Sequence, residues 1–404
     1  MLAVELTRAN MEKGPNKTKP GERRYELDWL RVLAVLFLIF FHSARPFDFG
    51  SFYVKNGNLS TAMQAFTGSV DIWFMPLFFL IAGGAACYSL RSRRPGEFAK
   101  ERVKRLLVPL LFGTFILIPP QVYCVFVKAR HPGFSNSYLS YYRYLFSVPY
   151  LTKITGGTVG PARIEGQTLE PAQLWFILYL LVFSLVALPL FLSIKKGKAG
   201  RLVSGFAGFC ERPGAIFLLA IPIIICNAGL ELDTSIYRLF HIVPFILGYL
   251  MYSDERFGPA IDRHGRVALV LAAVISAAYI FVFWIAKVEY KGWITVAWPI
   301  ARGLDTWLWL IAFLALGRRF LNFSNRTLDY ANKASYPFYI LHQTVIVLFA
   351  FEIVKLGASV GLKYLLLTTV SLVVTLAAYD ILVKRTGPTR FLFGMKPRPK
   401  KQAQ

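Results

Sequence analysis

Apolar runs of about twenty residues recur along the whole chain, and each can cross about 30 Å of hydrocarbon as a helix. Small soluble domains do not contain such runs. Ten candidate spans follow from them, at about 27–47, 70–90, 105–127, 172–193, 214–231, 236–252, 267–287, 293–316, 334–354 and 362–383. The stretches ending near 231 and starting near 236 also read as one broken helix. Charged residues make up 17% of the chain, against about 25% in a soluble domain.

The net charge of +24 raises the question of nucleic acid, but the basic residues are placed for a different purpose. They lie between the apolar runs, and they alternate. Counted over successive connections, 32 Lys and Arg fall on one side and 11 on the other, with Arg31, Arg45 and Arg302 inside spans. The positive-inside rule explains this split, and a nucleic-acid partner is not needed. The expected fold is an all-α polytopic membrane bundle of about ten transmembrane helices with both termini cytoplasmic. Residues 1–22 are expected to form a disordered cytoplasmic tail, 23–385 the membrane domain, and 386–404 a basic cytoplasmic tail. The N-terminal stretch lacks the apolar core of a signal peptide.

The long connection at about 128–171 then faces outside. Its aromatics are Tyr138, Tyr141, Tyr142, Tyr144, Phe146 and Tyr150. They fit an interfacial belt or a rim that stacks on sugar rings. Cys87, Cys124, Cys210 and Cys226 form no CxxC pair and have no His at metal spacing, so neither a disulfide nor a zinc site is expected. No GxSxG, Walker or HExxH sequence supports a hydrolase, ATPase or zincin.

Ionisable residues inside a membrane are expensive, at about 2.5–3.5 kcal/mol each on insertion scales. They are functional candidates or paired structural charges. The first span, LDWLRVLAVLFLIFFHSARPF, carries Asp28, Arg31, His42 and Arg45. Arg31 and His42 lie eleven residues apart, so they share a face to within about 20° and stand about 16 Å apart along the axis. Asp28 and Arg45 fall within about 60° of that line. Asp28 and Arg31 can pair at i, i+3. His42 fits a hydrogen-bonded core histidine or a general base, because imidazole titrates near neutrality.

Arg102 and Arg105 sit at i, i+3 where the third span begins. They read as positive-inside charge or as a clamp for phosphate, which guanidinium forks suit. Arg302 and Asp305 read as an i, i+3 ion pair. His342, in SYPFYILHQTVIVLF, is expected in the cytoplasmic half of its span. Trp175 opens the span after the outer loop and fits belt anchoring.

Taken together, LDWLR with Arg31 and His42, the Arg102-x-x-Arg105 pair, LWFILYLL and YILHQTVIV resemble the membrane acyltransferase-3 family of bacterial O-acyltransferases. The closing stretch RTGPTRFLFGMKP resembles that family's glucan biosynthesis protein C-like succinyltransferase branch. The resemblance implies transfer of an acyl group from cytoplasmic acyl-CoA to a hydroxyl of an extracytoplasmic carbohydrate, across the inner membrane. It makes His42 the essential histidine, places Arg31, Arg102 and Arg105 at the acyl-CoA, and marks His342 as a recurrent histidine. Thr344 stands where relatives commonly have proline. Acyl-CoA is then a donor substrate, with no tightly bound cofactor and no metal. Asp28, Arg45, Trp175 and His342 are further candidates, Arg45 as a cation for a succinyl group. Acetyl fits the residues equally. A proton-coupled transporter using His42, Asp28 and Arg302 is the alternative, although no internal symmetry supports it.

Overall fold

The computed structural model describes residues 24–128, 137–145, 171–197, 199–230 and 237–396. The expected tail at 1–22, residues 397–404 of the expected tail at 386–404, and most of the outer connection with Phe146 and Tyr150 lie outside them, whereas 386–396 is described and carries a short helix. Among the described residues the chain is helical and contains no strand.

Among the described residues sixteen α-helices follow in order: α1 (Tyr25–Ala44), α2 (Thr61–Asp71), α3 (Phe74–Ser92), α4 (Pro95–Phe112), α5 (Ile118–Lys128), α6 (Tyr138–Leu145), α7 (Trp175–Val186), α8 (Leu188–Lys195), α9 (Gly200–Cys210), α10 (Ile221–Gly229), α11 (Ile242–Ser253), α12 (Phe257–Ile280), α13 (Ile294–Phe320), α14 (Arg326–Ile353), α15 (Val360–Ala378) and α16 (Gly387–Leu392). Several join into longer rods. The α2–α3 pair makes one apolar rod over Thr61–Ser92. A π-helical turn at Gly113–Leu117 links α4 to α5.

Among the described residues seven helices are long and apolar enough to cross a membrane, and eight if the bent α7–α8 pair counts as one. That pair turns by 48° where Pro189, at the start of α8, removes a backbone donor. The ten expected spans include two stretches shorter than this. In each, α-helix follows a 3-10 segment, Ala215–Ala220 before α10 and Tyr237–His241 before α11. The steeper 3-10 rise stretches these rods to about 25 and 28 Å.

Both short rods lie against long helices. Trp307 of α13 donates its indole N–H to the Ile216 carbonyl at 2.9 Å, and Gly303 packs on Ile224, so α10 runs antiparallel to α13. α11 runs parallel to α3, since Phe79 meets His241 and Cys87 meets the Tyr252 carbonyl, and between these contacts the two backbones touch. A Cβ on Gly83 would overlap the Phe245 carbonyl, and one on Gly248 would overlap the Leu80 carbonyl. Small residues permit this approach where apolar burial between helices is worth little.

On α1, Leu33, Leu36 and Phe40 are exposed at 44%, 38% and 37%. They lie about 140–200° around the helix from Arg31. The apolar face is therefore the outer one, and the Arg31–His42 face turns into the bundle as its phase predicts.

Candidate active site

Arg31 and His42 mark the ends of the polar stripe on α1, and α14 meets both. At the lower end Arg31 donates to the side-chain oxygen of Asn332 and, at 2.9 Å, to Asp28. At the upper end the rings of His42 and His342 stand 5.1 Å apart between centroids. Moving from one contact to the other takes eleven residues on α1 and ten on α14. The two helices therefore run parallel and in register for about 16 Å.

His342 is thus not in the lower half of its span. It lies sixteen residues into α14, because that helix starts at Arg326 rather than near 334. The ring is fully buried, and its Nδ1 lies 2.6 Å from the Tyr339 carbonyl. A carbonyl only accepts, so Nδ1 carries the proton and Nε2 is left as an acceptor. That Nε2 is buried and has no hydrogen-bond partner among the described residues, and the same holds for Nδ1 of His42. The His42 ring is half-buried, with Phe52 stacked 6.4 Å away.

One turn above Asn332 on α14, Tyr336 donates to the Arg105 carbonyl at 3.0 Å. This brings α4 and its arginines to the lower end of the stripe. Arg102 lies over the Phe98 ring at 5.0 Å and forms no ion pair among the described residues. Arg105 pairs with Glu101 at 3.2 Å and donates to the Gly394 carbonyl at 3.1 Å. Segment 387–396 therefore folds back over α4, where Phe393 meets Phe112 at 5.2 Å.

A buried amide layer lies beside the histidines. Gln121 of α5 donates to Thr344 at 2.8 Å and to Gln173 at 3.3 Å, and it accepts from Gln343 at 3.2 Å. Thr344 donates to the Leu117 carbonyl at 2.9 Å, at the end of the π turn. α14 is continuous through Thr344, whose hydroxyl bonds across to the Leu117 carbonyl and Gln121. Sequence reading misses Asn332, Gln121 and Gln173. Gln121 and Gln173 show only as polar residues in or beside apolar stretches, and Asn332 lies in a polar run before its expected span, so none of them signals which helices it joins. Among the described residues no group of three or more His, Cys, Asp or Glu is arranged to hold a metal ion.

Residues 24–383 match the acyltransferase-3 family, described as an acyltransferase domain. The chain belongs to this family. It is an acyltransferase of a multi-pass membrane type. Among curated proteins it is similar to glucans biosynthesis protein C of Salmonella gallinarum, with 24% identity over 95% of this chain and 98% of the relative. The protein of that name from Escherichia coli is 24% identical over 95% of this chain and 97% of its own length. No solved structure matches.

The structure gathers some candidates of this acyltransferase-3 chain and separates others. Arg31, Asp28 and His342 join His42 at the α1–α14 seam, whereas Arg105 touches α14 through its backbone carbonyl and turns its guanidinium to Glu101 and Gly394. Arg45 is taken up in a separate cluster on the loop after α1. There fully buried Asp48 binds Arg45 at 2.6 Å and Lys55 at 2.8 Å, and accepts from Thr67 at 3.0 Å.

Trp175 turns away from the seam to His241, at 5.3 Å, and to Phe79. Its neighbour Phe176 is the side chain that meets Tyr339, at 5.7 Å. Arg302 does not pair with Asp305 as the spacing suggests. It binds Asp71 at 3.0 Å, whereas Asp305 accepts from Ser276 at 2.9 Å. The end of α2 reaches Arg302 while Asp305 faces α12, so tertiary partners replace the local one. Of the outer tyrosines, Tyr141 is buried against Tyr123, and Tyr138 is 40% exposed.

Proposed function

We propose that this acyltransferase moves an acyl group, acetyl or succinyl, from cytoplasmic acyl-CoA to a hydroxyl of an extracytoplasmic glucan, with His42 as the general base. The observation that carries this reading is the register of α1 and α14. Arg31 stands about 16 Å from the His42 imidazole on one face of α1, and Tyr336 of α14 bonds the backbone of Arg105 one turn above Asn332.

Both termini then lie in the cytoplasm of a bacterial inner membrane, with ten crossings, in line with the alternation of basic residues. Arg31, Arg102 and Arg105 meet the anionic head of acyl-CoA at the cytoplasmic face. The thin pantetheine arm runs along the α1–α14 seam toward His42, over a distance comparable to its extended length. Nε2 of His42 takes the proton of the acceptor hydroxyl as that oxygen bonds to the thioester carbonyl carbon. The C–S bond breaks, and the departing thiolate takes the proton from the imidazolium. Such base catalysis is worth about 10²–10⁴-fold. Glucan as the acceptor class rests on the names of the relatives.

The transporter alternative needs His42, Asp28 and Arg302 to act together. Asp28 is bound to Arg31 and Arg302 to Asp71, on different helices and in different places. The test is acyl-CoA consumption by purified protein with a glucan acceptor. His42→Ala should lower kcat by about 10²–10⁴-fold with the donor still bound. Undiminished turnover in that variant rejects His42 as the base, and solute movement in liposomes without acyl-CoA rejects the enzyme reading.

A further inference from the structure

The base reading of His42 gives no part to the histidine beside it, His342. His342 is fully buried, and its Nδ1–H is held by the Tyr339 carbonyl at 2.6 Å. Its Nε2 has no partner among the described residues, and the adjoining ring of His42, 5.1 Å away between centroids, carries an unpartnered nitrogen of its own, Nδ1. An N–H···N contact of about 3 Å between two imidazoles places their centroids about 5 Å apart. The observed 5.1 Å is that separation. A buried polar atom without a partner costs about 1–3 kcal/mol, and an N–H···N bond between these two rings would satisfy both atoms at once.

We infer that His342 is a positioning residue that fixes the tautomer of His42: Nε2 of His342 accepts a proton-bearing Nδ1 of His42, leaving the lone pair on His42 Nε2 for the acceptor hydroxyl. This rests on the acyl-transfer reading of His42 and deepens it. The carbonyl of Tyr339 sets the His342 tautomer, His342 sets that of His42, and the direction of proton flow at the base follows. No carboxylate contacts either ring among the described residues, so this site uses a neutral acceptor where other enzymes place an aspartate. A neutral acceptor orients the ring without adding charge to an apolar interior, where a lone carboxylate is costly. The imidazolium formed during turnover shares its Nδ1 proton with His342, and no further bond is made or broken.

The experiment is nitrogen-15 histidine spectroscopy of the full chain in detergent, together with steady-state kinetics. The chain has five histidines, so the His42 resonances are assigned by comparison with His42→Gln. In wild-type protein His42 should carry its proton on Nδ1. In His342→Leu it should lose that preference, and kcat should fall about 100-fold with the KM for acyl-CoA within twofold of wild type. His342→Gln keeps an acceptor at the Nε2 position and should recover about tenfold of the lost kcat. Melting temperatures of both variants check that they fold, and the glutamine variant carries the test if the leucine variant does not.

A wild-type His42 protonated on Nε2, or a tautomer that the His342 substitution leaves unchanged, overturns the inference whatever the kinetics. So does a His342→Leu enzyme with undiminished kcat. Failure of wild-type protein to transfer any acyl group would instead reject the base reading, and the spectra would still report the pairing.

Discussion

Arg105 and Gly394, 289 residues apart, are joined by a 3.1 Å hydrogen bond from the guanidinium Nε–H to the backbone carbonyl. Gly394 adopts φ +64°, and a Cβ there would crowd the Arg105 carbonyl and the Tyr336 ring. The left-handed conformation costs a residue with a side chain about 1–3 kcal/mol. Gly394→Val should therefore lift the C-terminal segment from α4. The expected outcome is a severalfold higher KM for acyl-CoA with kcat nearly unchanged, read from initial rates over a donor series. An unchanged KM would separate this segment from donor binding.

Arg31 and Asn332 clamp α1 to α14 at the lower end of the seam. If that clamp also presents Arg31 to the donor, the two residues act as a unit. Arg31→Ala and Asn332→Ala should each weaken acyl-CoA binding in calorimetry, and the double variant should lose less than the sum. A coupling of about 0.5–3 kcal/mol is expected for residues in contact. Strict additivity would show that Asn332 has no part in presenting the arginine.

Asp48 neutralises two cations, Arg45 and Lys55, in the loop that follows His42. Removing the shared carboxylate leaves both with backbone carbonyl partners but no countercharge. Asp48→Ala should destabilise the protein by about 3–5 kcal/mol, as loss of one partner from a buried ion pair does. Thermal unfolding in detergent measures this. Asp48→Asn should fall between the two, because the amide still accepts from Thr67 but carries no charge. A melting curve for Asp48→Ala that overlays wild type would place these charges in solvent.

The contact of Gly83 with the Phe245 carbonyl leaves no room for a methyl group. Gly83→Ala should push α3 from α11 and cost about 1–3 kcal/mol, the usual cost of overpacking. A lower melting temperature and reduced yield from membranes are expected. Gly57→Ala, where nothing lies near the added Cβ, is the control and should behave as wild type.

Much of this organisation is legible along the chain because its causes are local. The phase that joins Arg31 to His42 depends only on helix pitch, and Leu33, Leu36 and Phe40 do lie on the outer face. The Asp28–Arg31 bond joins residues three apart on one helix, and the helix alone brings them together. Arg302 shows where this stops. Asp305 stands at the same spacing, yet Asp71 takes the arginine from another helix. Spacing identifies an available partner and says nothing about competitors.

Composition, apolar run length and helical period thus determined a helical membrane protein with one polar face on its first span, since each acts within a single segment. Only the tertiary structure decided that α14 lies parallel to that face, that Asn332 closes on Arg31, and that His342 stands beside His42 rather than toward the other side. These contacts span about three hundred residues. They depend on how helices pack and slide past one another, and no period within either helix encodes that register.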